Sequence, residues 1–181
     1  KVYCRSMENL MEMLEHGQLD VVLSYKPLES YDDIDSHILF NSKLCVIAGK
    51  DNPVAKMDKI RLAELERLPL ALPANGLQAR NAFDSLLYGQ NFKYDVRLEI
   101  NDLNVLLDMV SRTNLVTLLS EATVRGNNDF VAIELDHPHS EMEGSFHILK
   151  GSYCKNATKE FLKFLIENNS FTMAMDAIAN R

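Results

Sequence analysis

The chain has 181 residues, 46% of them apolar and 25% charged, and a formal net charge of −7. That length suits one large domain or two small lobes with a core that needs no staples. The negative charge argues against a domain that grips phosphate backbones by itself, which requires clustered Lys and Arg, and no apolar run approaches the roughly 20 residues of a membrane-spanning helix.

Cys4, Cys45 and Cys154 are odd in number and far apart, with no C-x-x-C pair. They predict three reduced, mostly buried thiols in a cytosolic protein without a secretory leader.

Lys1–Cys4 reads as a strand with nothing before it, which predicts an upstream strand and helix outside this sequence. Ser6 is placed to cap a helix striped by Met7, Leu10, Met11 and Leu14, and Gly17 to end it. Leu19–Ser24 is an almost continuous apolar run, as in a strand covered on both faces. Tyr25–Asp35, with Pro27 and clustered acids, predicts a loop. Leu44–Ala48 is a strand stopped by Gly49 and the Asp51-Asn-Pro53 turn. Ile60–Leu68 predicts a short helix and Leu70–Leu72 a short strand.

Pro73-Ala-Asn-Gly76 precedes a helix with Ala79, Ala82, Phe83, Leu86 and Leu87 on one face. Asn75 and Gln78 have the spacing of a capping box. Val96, Leu98 and Ile100 alternate with Arg97 and Glu99, a half-exposed strand. Asn101-Asp102 opens a helix striped by Leu103, Leu106, Leu107 and Val110. Leu115–Leu119 is a strand, Ser120–Arg125 a short helix, and Val131–Leu135 and Ser145–Lys150 further strands. Asn156–Asn168 predicts a last helix with Ala157, Phe161, Phe164 and Leu165 inward, followed by a weakly helical tail. The alternation of strands and helices predicts an α/β fold with mainly parallel sheets.

Ser6, Asn75 and Asn101 each lie between the end of a strand and the start of a helix. Ligands of open α/β sheets bind at that edge, where helix N-termini offer unpaired N–H groups and partial positive charge. Capping alone would also place such residues there. Enzyme signatures are sparse: no G-x-S-x-G, H-E-x-x-H, Walker loop or G-x-G-x-x-G is present. His137 and His139 with Glu141 and Glu143 read as a solvated acidic turn rather than a metal site. No catalytic group, metal or cofactor is expected.

Several stretches together resemble the effector-binding domain of LysR-type transcriptional regulators, over roughly Val2 to Asn168. They are Ser6-x-x-x-Leu10-x-x-x-Leu14-x-x-Gly17-x-Leu19-Asp20-Val-Val, the strand Leu44-x-Val-Ile leading to Asp51-Asn-Pro53-Val-Ala, and Leu62-x-x-Leu65 before Leu70-x-Leu. Arg80 followed by Asp84, and Glu99-Ile-Asn101 with Leu106-x-x-x-Val110, complete the order. The wording Arg112-Thr113-x-Leu115-x-Thr117-Leu-Leu119 further resembles cyanate-responsive members. The sequence departs from the family at Asn52 (often His), at Thr113-Asn114 (often Gly-x-Gly), at Ala79 (often Thr) and at Ser120 (usually Pro).

The resemblance implies two Rossmann-like lobes of the periplasmic-binding-protein type 2 kind, lacking the family's first strand and helix. Lobe I would take residues 1–40 plus 145–169 and lobe II residues 41–144, with 170–181 a C-terminal tail. It implies a small, anionic effector held between the lobes, contacted by Ser6, Met7, Ala74, Asn75, Asn101, Asp102 and, on the strand after the third helix, Thr117. It also implies a cytoplasmic homodimer or tetramer pairing through Ser6–His16 and Gln78–Tyr88. DNA would be reached only through an absent N-terminal helix-turn-helix, with no membrane partner. A solute receptor for transport would share the fold but need export. An enzyme on the same scaffold, such as a dehydratase, would need a paired acid and base where only Asp102 is at hand.

Overall fold

The computed structural model describes residues 1–27 and 30–168. The expected C-terminal tail therefore lies outside the described residues. The described chain divides into two compact units, one holding Lys1–Asn41 and residues 142–168, the other Ser42–Glu141.

The first unit begins without the expected strand, since residues 1–6 join no sheet. Helix α1 (Met7–Glu15) follows and ends at His16. Gly17 has φ +65°. Its N–H donates to the Leu14 carbonyl, and that of Gln18 to Met13, the paired bonds that close a helix through a left-handed residue. Strand β1 (Val22–Tyr25) lies beside β8 (Glu141–Leu149), which lies in turn beside the first half of β2 (Ile34–Gly49). β1 and β8 run antiparallel, with Val22 opposite His147 and Tyr25 opposite Gly144.

Alternate side chains on these strands serve opposite faces. Val22 and Ile34 pack with Met7, Met11 and Leu14 of α1. Leu23, Leu39 and Phe146 pack with Leu162 and Leu165 of α5 (Asn156–Asn168). The inward face of α5 differs from expectation. Leu165 is buried, but its companions are Thr158 and Leu162, while Phe161 and Phe164 are 43% and 56% exposed and Ala157 is exposed. Apolar residues stand on two neighbouring stripes of this helix, and only one of them meets the sheet.

The second unit carries the rest of β2, β3 (Lys59–Ile60), α2 (Leu62–Leu65), β4 (Pro69–Pro73), α3 (Gln78–Leu86), β5 (Asp95–Ile100), α4 (Leu103–Arg112), β6 (Val116–Ser120) and β7 (Phe130–Leu135). Its strands lie in the order β3-β7-β2-β6-β4-β5. The β4/β5, β4/β6 and β3/β7 pairs are parallel, as the alternation predicts. β2 is antiparallel to both β6 and β7, so the sheet is mixed. β2 enters this sheet directly from the first unit rather than through a crossover helix, which frees it from the parallel direction that such a helix imposes.

One face of the sheet presents Cys45, Ile47, Ala71, Leu115 and Leu119 to Leu106, Leu107 and Val110 of α4. By the alternation of a strand, the opposite face carries Leu44, Val46, Leu70, Leu72 and Leu118, all buried. β5 pairs with β4 alone among the described strands, which leaves Val96 partly exposed.

Candidate functional site at the carboxyl edge of the second unit

β4 ends at Pro73, and the next four residues form a tight turn. The Leu77 N–H donates to the Ala74 carbonyl at 3.2 Å, and Gly76 has φ +85°. A positive φ at the third position of a turn excludes most side chains and selects glycine. Asn75 is therefore the second residue of a turn and not a helix cap. The N-cap of α3 is Leu77, whose side chain accepts nothing. The apparent Asn75–Gln78 capping box gave way to the conformational demand of Gly76.

The Ala74 N–H donates to the Ile100 carbonyl at 2.9 Å, which fastens the loop after β4 to the end of β5. Asn101 follows, and Asp102 caps α4 by accepting the N–H groups of Asn104 and Val105 at 2.9 and 3.0 Å. Beneath this edge the Arg80 side chain, 14% exposed, gathers three elements. Its Nε donates to both Asp84 oxygens at 2.9 and 3.0 Å, and its Nη1 to Glu99 Oε1 at 3.0 Å and the Pro73 carbonyl at 3.3 Å. Ala74, Asn75, Asn101 and Asp102 thus share one edge.

The strand order makes that edge chemically distinctive. The chain leaving β4 leads to β5 on one side, and the chain leaving β6 leads to β7 beyond β2 on the other. The crevice between two parallel strands whose continuations diverge is where open α/β sheets bind ligands. Leu70 is level with Val116, and from there both strands run on in parallel to this edge, β4 to Pro73 and β6 to Ser120.

Thr117 does not reach this edge. It is fully buried, on the strand face that carries Leu115 and Leu119 towards α4, and its hydroxyl has no hydrogen-bond partner among the described residues. The polar residues of β2 and β6 at the edge are Ser42 and Ser120, whose hydroxyl oxygens lie 2.6 Å apart. Their one sequence signal was Ser120 standing where the family usually has Pro.

Ser6 and Met7 lie in the first unit. Ser6 occupies the N-cap of α1 without a side-chain cap bond, contrary to its expected capping, although its carbonyl accepts the Leu10 N–H at 3.0 Å. Met7 is buried with Met11 and Leu14.

That unit also holds a polar run across β1, β8 and β2, centred on the buried His147. His147 Nε2 lies 2.8 Å from Ser24 Oγ, and Nδ1 lies 2.8 Å from Ser36 Oγ. Ser24 donates its proton to the Tyr25 carbonyl at 2.9 Å. Its oxygen must then accept from Nε2–H, which leaves Nδ1 to accept from Ser36. Burial, with a smaller contribution from His37, pushes the imidazole down to about 4. Such a ring is a poor proton acceptor for catalysis at neutral pH, and its evident work is to tie three strands together.

A hollow of about 500 Å³ lies at the opposite edge, lined by Pro69, Asp95, Arg97, Thr113, Asn114 and Leu115. It is open, and Arg97 is already paired with Asp95 at 2.7 Å. The carboxyl edge is the better candidate on topological grounds. Among the described residues no group of three His, Cys, Asp or Glu could hold a metal ion, and no helix is long and apolar enough to cross a membrane. Of the cysteines, Cys45 alone is buried, its thiol pushed up to about 11 by burial and then by Glu121 and Glu134. Cys4 is exposed and Cys154 partly so, contrary to the expectation of mostly buried thiols.

The chain is 23% identical over 164 residues to the transcriptional dual regulator GltC of Bacillus subtilis, covering 90% of this chain and 55% of GltC. It therefore spans little more than half the length of that curated relative. Its fold is similar to the regulatory domain of Synechocystis PCC6803 CcmR in complex with 2-PG, at TM-score 0.78 and 19% identity over 91% of this chain and 80% of that one. It is also similar to the effector binding domain of QuiR in complex with shikimate, at TM-score 0.74 and 17% identity over 92% and 79%. Residues 1–170 match the family described as the LysR substrate binding domain, and the chain belongs to that family.

Proposed function

We propose that the chain is the effector-sensing part of a LysR-type transcriptional regulator and that it performs no catalysis of its own. Its effector is a small, anionic metabolite. The contacts are drawn from Ala74, Asn75, Asn101 and Asp102 in the second unit and from Ser6 and Met7 in the first; Thr117, buried against the α4 core, is not among them. The lobes proposed to carry them are residues 1–40 with 145–169, and residues 41–144.

The observation that carries this reading is the bond from the Ala74 N–H to the Ile100 carbonyl. It holds two strand-to-helix loops together beside the strand-order reversal. CcmR and QuiR support it by analogy, since their domains were captured with 2-PG and shikimate. The effector biases a conformational equilibrium by its differential affinity for the two states. In the full-length regulator, a cytoplasmic dimer or tetramer, that bias reaches DNA through a helix-turn-helix carried elsewhere in the protein.

A thermal-shift screen of small carboxylates, phosphates and neutral metabolites tests the reading. At least one anion is expected to raise the midpoint of the wild type and to raise that of Asn101→Leu less. If no compound separates the two proteins, Asn101 and its edge are not the effector site.

A further inference from the structure

The polar groups at the end of β6 contain one more donor than the described residues accept from. Ser42 and Ser120 are 5% and 1% exposed, and their oxygens lie 2.6 Å apart. Ser120 Oγ also accepts the Ala122 N–H at 3.3 Å. Two hydroxyls carry two protons, and their mutual bond uses one of them. Whichever serine donates, the other O–H has no acceptor among the described residues. A buried hydroxyl proton without an acceptor is destabilising, and a group that supplies lone pairs relieves it.

The position of this surplus proton is informative. Ser42 and Ser120 fall on the strand face opposite the α4 core, because Cys45, Ile47, Leu115 and Leu119 occupy that core. β4 and β6 run parallel as neighbours, so Ser120 at the end of β6 and Ala74 just after β4 lie at the same carboxyl edge, where the two continuations diverge. The helix that opens after that turn, α3, has nine residues and a leucine at its N-cap, whose side chain cannot accept from the N–H groups of the first turn. The nearest chemistry is thus rich in donors, and its missing partner is an acceptor.

We propose that the Ser42–Ser120 hydroxyl pair donates one hydrogen bond to an oxyanion of the effector, a carboxylate or a phosphoryl group. This rests on the effector-site reading above and specifies which end of the ligand faces β6. The pair works as a unit. Deleting one hydroxyl leaves the other able to donate, whereas deleting both removes the donor.

Amide NMR titrations of the 181-residue chain with acetate and, separately, with inorganic phosphate at constant ionic strength test this and tell the two oxyanions apart. At least one of them should shift the amides of Ala74–Gln78 and Ala122 saturably. Ser42→Ala/Ser120→Ala should weaken that binding by about tenfold or more, and each single variant by less. An amide spectrum otherwise like the wild type shows that the double variant is folded. If it is not, Ser42→Cys/Ser120→Cys, which keeps the shape and replaces both hydroxyls by weak thiol donors, must bind more weakly than the wild type, and equal binding overturns the proposal. Binding at Ala74–Gln78 that the folded double variant leaves unchanged overturns the role of the pair and leaves the effector edge standing. The absence of any saturable shift with either anion also overturns this inference, while a neutral compound that separates wild type from Asn101→Leu in the thermal screen would preserve the edge. Failure of both experiments removes the edge itself.

Discussion

The ring of Phe40 on β2 occupies the space that a Cβ on Gly144 of β8 would fill. The same ring meets Tyr25 edge-on, with centroids 6.0 Å apart, and Tyr25 lies directly opposite Gly144 in the β1/β8 ladder. Gly144 is therefore a gap in the middle strand through which aromatic residues of the two outer strands touch. Its requirement is one of volume rather than of backbone angle. Gly144→Ala is expected to destabilise the chain by about 1–3 kcal/mol through displacement of Phe40. Urea unfolding checks this, and recovery of stability in Gly144→Ala/Phe40→Leu would confirm that the clash is the cause.

His147 predicts an acid-sensitive fold. Its folded value of about 4 lies below the ordinary value of 6.5 that the unfolded chain retains. Above 6.5 neither state carries the proton and stability is unaffected. As the pH falls through 6.5 towards 4, the unfolded chain takes a proton that the folded one refuses, so stability is lost across that window. The total loss approaches about 3 kcal/mol. Chemical denaturation at pH 7 and pH 5 should show most of a ~2 kcal/mol decline, and a shallower pH dependence is expected for His147→Gln. A pH-independent difference between the two proteins would contradict the assigned neutral imidazole.

Thr117 is the reverse case, a buried group whose removal should help. Its hydroxyl sits unpaired against the α4 core. Thr117→Val keeps the shape and removes the unsatisfied atom, and should raise stability by about 1 kcal/mol. A loss of stability would show that the hydroxyl has a bound partner, such as a buried water.

Arg80 should not be replaceable by lysine. Its planar fork reaches Asp84, Glu99 and the Pro73 carbonyl at once, and an ammonium group cannot reproduce that spread. Both Arg80→Ala and Arg80→Lys are expected to cost about 1–2 kcal/mol, and faster amide exchange at Ala74 would report the loosened loop. A lysine variant as stable as wild type would reduce the network to simple charge pairing.

How much of this was legible in the residues depends on which force decided each feature. α3 and α4 were readable because their apolar stripes are periodic and face one core each, and β4, β5 and β6 because short apolar runs were bounded by turn residues. The first half of β2 was not, since Asp35, Ser36 and His37 are exposed and carry no apolar alternation. Its pairing with β8 is decided by residues a hundred positions away. α5 was placed correctly along the chain and wrongly in phase, because Phe161 and Phe164 outweigh Thr158 in any hydrophobic reading. At the edge, Asn75, Asn101 and Asp102 could be found from helix starts. Ser42 could not, since nothing local marks a serine on a strand as half of a hydroxyl pair with Ser120.

The two units are not equals in time. The second is one uninterrupted stretch of chain, Ser42–Glu141, and contains every strand it pairs except the upstream half of β2. The first is assembled from both ends, and its middle strand, β8, is supplied only after the second unit has been completed. On a ribosome, Leu23 and Leu39 must wait uncovered while the whole second unit is made, because their partners Phe146, Leu162 and Leu165 come after it, and the first unit's sheet closes across a very long loop. Slow, late ordering of the first unit, and a matching sensitivity to chaperone supply during synthesis, are built into the order of the strands.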